Sequence, residues 1–149
     1  MLCLVVLALS FAATNVRAQT GAGRGPDPST VRDPDLEKDS MKSLEAVRLY
    51  FRLRKAYVAA LNRCEEIIAG NPTFSRMDEV LYYAGASSLY LSENKGKQVP
   101  KKEVSAEKYR TDGRDYLSLV VNNYPDSEFR KLAEKELSRL GGPKITTRQ

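Results

Sequence analysis

The chain of 149 residues contains no histidine and no tryptophan, and only two cysteines, Cys3 and Cys64. Without histidine there can be no histidine-based triad, no imidazole general base and no imidazole metal ligand. Two cysteines so far apart in the chain do not make a structural zinc site, which needs about four ligands. A phosphate-binding loop is also missing: the glycine-rich GAGRG at 21–25 has no strand before it and no helix soon after. Nowhere does a period of two persist long enough to announce a strand. The only extended apolar run is residues 2–13, LCLVVLALSFAA, short of the ~20 residues needed to span a bilayer.

What is present begins with that run. Followed by Val16-Arg17-Ala18 and Gln19, it reads as a secretory signal, residues 1–18, cut after the small side chain of Ala18; an uncleaved membrane anchor is the alternative. Cleavage would remove Cys3 and leave Cys64 alone, so no intramolecular disulfide is expected. It would also remove one charge, Arg17, taking the formal net charge from +5 to +4. For an exported protein this mild excess points to anionic lipid or acidic wall polymers rather than nucleic acid.

Residues 19–34, QTGAGRGPDPSTVRDP, are rich in Gly, Pro, Ser and Thr and should form a disordered leader. An all-α domain is expected over 35–142, with a loose tail at 143–149. From Asp35 to Ala69 there is no Gly or Pro. We expect two helices there, folding back on each other near Arg54-Lys55. In the second, about 55–69, Tyr57, Ala60, Leu61, Cys64, Ile67 and Ile68 recur at intervals of three and four. Gly70, in a left-handed conformation, and Pro72 should stop it. The third, about 76–93, has an inner stripe of Val80, Tyr83, Ala84, Ser87 and Leu91. Its small residues Gly85 to Ser88 should let a neighbour approach closely. The fourth, about 103–122, and the fifth, about 127–140 with Asp126-Ser127 as its cap, complete five helices.

Chemistry-bearing residues are few. Glu65-Glu66 and Asp78-Glu79 point in different directions on their helices and are expected to be solvated surface. Cys64 should be a small buried hydrophobe. No catalytic residue, cofactor site or metal site is expected. Tyrosine is the conspicuous side chain, with eight in the chain. Tyr82 and Tyr90 lie off the stripe of the third helix, leaving two readings: contact with a partner, or packing between helices. The loop Glu93 to Lys102 offers Lys95, Lys97, Lys101 and Lys102 as a second candidate surface, for anionic lipid or an acidic partner; an ordinary solvated connector is the alternative.

A helix–Pro–helix unit occurs twice, from Ala56 to Gly85 and from Tyr109 to Leu140. Placing Asn71-Pro72 on Tyr124-Pro125 brings Cys64 onto Leu117, Ile67 onto Val120 and Val80 onto Ala133. Such repetition points to stacked helical hairpins, which make surfaces for other proteins. The phrase VVNNYPDSEFRKLAEKEL, echoed by Tyr57, Ala60, Ile67, Ile68, Pro72 and Ser75, resembles the repeat of BamD-type outer-membrane assembly proteins. These are tetratricopeptide-like periplasmic lipoproteins. The likeness covers roughly Tyr50 to Leu140. It implies a periplasmic, non-catalytic protein–protein interaction module acting in outer-membrane or cell-envelope assembly. The same subclass of repeats includes secretin pilotins and Tol–Pal proteins, so an accessory of another envelope machine stays open, as does a spacer that binds cell wall. The lipid-modified cysteine of that family has no counterpart, because Cys3 lies at the wrong end of the apolar run.

Overall fold

An aspartate and a proline start the helical domain. The computed structural model describes residues 32–143; the expected signal, most of the leader and the tail from 144 onward lie outside it. Helix α1, Pro34–Arg48, begins inside the stretch expected to be leader. Asp33 Oδ1 accepts the free N–H groups of Asp35 (2.8 Å) and Leu36 (3.4 Å), and Pro34 occupies the first turn, where its missing N–H costs nothing. Arg32 is tied down too, Nε donating to the Thr73 carbonyl at 2.9 Å. The leader boundary therefore moves toward the N-terminus: Asp33-Pro34 is a helix start.

The remaining helices are α2 (Tyr57–Gly70), α3 (Met77–Ser92), α4 (Ala106–Asn123) and α5 (Arg130–Ser138). Among the described residues there are five helices and no strand. Helix α1 runs on into a π-helical turn, Leu49–Arg54. The wide turn closes when Lys55 adopts a left-handed φ of 49° and Ala56 N–H donates to the Tyr50 carbonyl at 2.9 Å. No Gly or Pro marks this break, so the sequence places it only by pattern. Consecutive helices pack against one another in chain order, and α3 also touches α5.

Helix α3 is the centre. Twelve of its residues, Glu79 among them, are buried, because α2, α4 and α5 pack on it and Arg48 reaches it from the end of α1. Its closest neighbour is α4. A Cβ on Gly85 would stand 3.0 Å from the Gly113 carbonyl oxygen, and one on Gly113 would stand 3.0 Å from that of Gly85. The two backbones meet where the small residues of α3 were expected to admit a neighbour. The core of Leu44, Val47, Ala60, Cys64, Val80, Leu117, Val120 and Ala133 is fully enclosed.

The two Pro turns share one hydrogen-bond pattern. After α2, Asn71 N–H donates to Ile67 O, Phe74 N–H to Asn71 O and Met77 N–H to Phe74 O. After α4, Tyr124 N–H donates to Val120 O, Ser127 N–H to Tyr124 O and Arg130 N–H to Ser127 O. Asn71 and Tyr124 have nearly the same backbone, φ −142°, ψ 74° and φ −127°, ψ 69°. Gly70 is not left-handed: it is the last residue of α2, and Asn71 breaks the helix by becoming extended. Ser127 Oγ accepts from Phe129 N–H at 3.0 Å and donates to Asp78 Oδ2 at 2.6 Å, so it braces the turn and fastens it to α3. It is not the expected helix cap, because α5 begins only at Arg130, after Phe129, and has no side-chain cap bond. Buried Phe74 stands at the matching place in the first turn.

Candidate interaction surface

Two of the tyrosines singled out in the sequence belong to one row of rings. It begins with Tyr57 at the start of α2, whose centroid lies 5.0 Å from that of Tyr90 and 5.2 Å from that of Phe51. Phe51, on the π-helical turn, stacks on Tyr90 at 5.7 Å and meets Tyr83 at 5.0 Å. Tyr83 and Tyr82 both contact Phe129 at the start of α5, at 6.1 and 5.3 Å. Six rings thus join the π-helical turn, α2, α3 and the start of α5. These spacings lie in the range where tilted and edge-on pairs are favourable.

Tyr82 and Tyr90 are half-buried. The packing between helices is seen directly, and each ring keeps one part accessible. Burial pushes the Tyr82 hydroxyl up to about 12, with Tyr90 and Glu136 adding to the shift. Burial also raises Tyr90, and Glu136 again contributes. Both hydroxyls stay protonated at neutral pH and keep a donor on the row. The Arg52 guanidinium lies 5.7 Å from the Tyr83 centroid, within reach of the ring's negative face.

Sequence reasoning missed Glu79. Expected to be solvated, it is 1% exposed. Arg48 grips it with two bonds, Nε to Oε1 and Nη2 to Oε2, both 2.7 Å. Arg76 adds a third at 2.8 Å and reaches on to Glu128 at 3.0 Å. Burial alone would raise this carboxyl, but the hydrogen bond and charge of Arg48, helped by Arg76, hold it below the ordinary glutamate value. Position in α3 decides this: the helix is enclosed, and the arginines come from α1 and the preceding turn. Asp78 accepts the Ser127 bond, while Glu65 and Glu66 stay exposed.

The lysine loop is held against the α1–α2 junction. Lys97 N–H donates to the Lys55 carbonyl at 3.0 Å, and Gln98 Oε1 accepts from Ala59 N–H at 3.0 Å, occupying one of the free donors of α2. Gly96 makes the approach possible. Its φ is +102°, and a Cβ there would stand 2.6 Å from the Tyr57 ring. Lys95 pairs with Glu93, and its ammonium lies 5.5 Å from the Tyr90 centroid. Lys101 Nζ donates to Asn62 Oδ1 at 2.9 Å. Lys97 and Lys102 extend into solvent.

Cys64 is fully enclosed, and burial pushes its thiol up, with Glu65 and Glu79 adding to the shift. No group of acidic, cysteine or histidine side chains among the described residues could hold a metal ion, and no helix there is long and apolar enough to cross a membrane. No protein-family model matches the chain, and no curated protein or solved structure matches it either.

Proposed function

We propose that this chain is a non-catalytic protein–protein interaction module of the periplasm, a short stack of tetratricopeptide-like helical hairpins similar to BamD-type proteins. Its role is that of an adaptor in outer-membrane or cell-envelope assembly. The observation that supports this reading best is the shared hydrogen-bond pattern of the two Pro turns. Equivalent turns set equivalent angles between paired helices, and successive pairs then present a continuous surface for other polypeptides. The half-buried Tyr82 and Tyr90, set in a row whose other tyrosines are buried, fit such a use, since tyrosine offers apolar area and a hydrogen-bonding tip at low entropic cost. Export rests on the apolar N-terminal run alone.

The test is photo-crosslinking in the cell from position 52, whose exposed side chain borders the ring row, followed by affinity capture and mass spectrometry. Recovery of outer-membrane assembly components is the expected result. Recovery of secretin or Tol–Pal components would move the protein to a different envelope machine. Absence of any polypeptide partner would overturn the adaptor reading.

A further inference from the structure

The end of the molecule remote from the Pro turns is chemically unlike the rest. There the π-helical turn and the lysine loop lie side by side, fastened by the Lys97–Lys55 hydrogen bond. The two most exposed large hydrophobic side chains among the described residues are both on these segments: Val99, 82% exposed, and Leu53, 75% exposed. Around them stand Arg52, Arg54, Lys55, Lys97, Lys101 and Lys102. None of these six makes an ion pair with an acidic side chain among the described residues. Two other cations at this end are held by acids, Lys95 by Glu93 and Arg139 by Glu93 and Glu136; the six are what remains unpaired beside Leu53 and Val99.

We infer that this rim docks peripherally on a bilayer containing anionic lipid. Six cations without acidic partners, carried on two adjoining segments, are complementary to a negatively charged headgroup layer. Isolated aliphatic side chains at the tip of such a patch suit the boundary between headgroup and acyl chain, where each can leave water without needing a shaped pocket. An acidic protein would satisfy the charges but gives no reason for Leu53 and Val99 to stand so far into solvent. The loop is also pre-formed: the Lys97 bond, the Gln98 bond and the close fit of Gly96 hold it in place, so little ordering remains to oppose binding. This inference goes beyond the adaptor reading and does not depend on it.

Flotation of residues 19–149 with vesicles tests it, using phosphatidylcholine alone and phosphatidylcholine with phosphatidylglycerol. Binding to the anionic vesicles only, weakening as salt rises, is expected. Reversing two solvent-directed cations, K97E with K102E, should lower that binding by about tenfold or more. Leu53→Ser should lower it several-fold while leaving the salt dependence in place. These side chains are exposed, so an unchanged melting temperature serves as the folding control. Equal binding to neutral vesicles, no binding to either kind, or wild-type binding by the variants would each overturn the inference. So would salt-dependent binding to polyglutamate that matches the anionic vesicles and is indifferent to L53S; that result would assign the rim to an acidic polypeptide.

Discussion

At the scale of single residues, Glu79 departs most from what its neighbours in the chain suggest. It is a charge at the centre of an all-helical core, and three hydrogen bonds from two arginines are what make it tolerable. Glu79→Gln would leave the Arg48 guanidinium without its carboxylate, while Arg76 would keep Glu128. Breaking a fully buried pair costs about 3–5 kcal/mol, but the Arg48 side chain is 34% exposed and can recover some hydration. The expected loss is about 2 kcal/mol, several degrees in melting temperature, read by thermal unfolding. The wild-type dependence on pH follows from the same group. The folded-state carboxyl is held lower than in the unfolded chain, so its contribution is present above the ordinary glutamate value. It is lost as pH falls through the lower folded value. Unfolding curves of the Glu79→Gln variant should therefore depend less on pH in that acidic window than those of the wild type. Parallel curves would show that the pairing contributes nothing.

At the scale of elements, glycines and one lysine decide how helices meet and turn. Gly113 sits where α3 and α4 touch, and its added Cβ would lie 2.8 Å from Leu89 Cδ2 and 3.0 Å from the Gly85 carbonyl. Leucine can move but the carbonyl cannot. Overpacking of this kind costs about 1–3 kcal/mol, more than the ~1 kcal/mol that alanine adds in helix propensity. Gly70 is the contrast: nothing lies within 4 Å of its added Cβ. Gly113→Ala should lower the urea midpoint and Gly70→Ala should raise it slightly. The same sign for both would refute the close approach of α3 and α4. Lys55 closes the π-helical turn in the left-handed region, which a side chain occupies at some cost. Lys55→Gly should stabilise the protein by up to ~1 kcal/mol, offset in part by the greater freedom of glycine when unfolded. Marked destabilisation would mean that the lysine side chain itself holds the turn.

At the scale of the whole molecule, the two ends differ. One is made of Pro turns that fasten helices through Ser127–Asp78, Asn71–Ser40 and the Arg76 pairs. The other is a rim of cations around Leu53 and Val99. The ring row runs from Tyr57 at the start of α2, by way of the π-helical turn and α3, to Phe129 at the start of α5. A protein that docks through its rim would engage the Phe51 end of this row and leave the Tyr82 end available to a polypeptide. Arg52 borders both the rim and the row, so the two properties are separated by the readout, polypeptide capture against flotation with vesicles, and L53S should abolish neither partner capture nor folding.

The sequence by itself determined the five helices, because apolar residues recur at intervals of three and four and recognisable stops separate all but the first two. It also determined the burial of Cys64, which lies on the inner stripe of α2, and the equivalence of the two Pro turns, which the shared spacing already shows. Asp33-Pro34 was legible as a helix start too, since a capping aspartate followed by proline is a local signal; its leader-like neighbours concealed it. Only the tertiary structure decided the rest. The break at Lys55 has no residue that demands it and follows from the packing of Phe51 and Tyr57 against α3. Glu79 is buried because α3 is central, and centrality is a property of the three helices packed on it, α2, α4 and α5. The lysine loop and the π-helical turn, some forty positions apart, become one rim only through Gly96, whose missing side chain lets the loop lie against Tyr57. Local periodicity fixes which face of a helix is apolar; which faces meet depends on contacts between distant residues, and no short stretch of chain contains them.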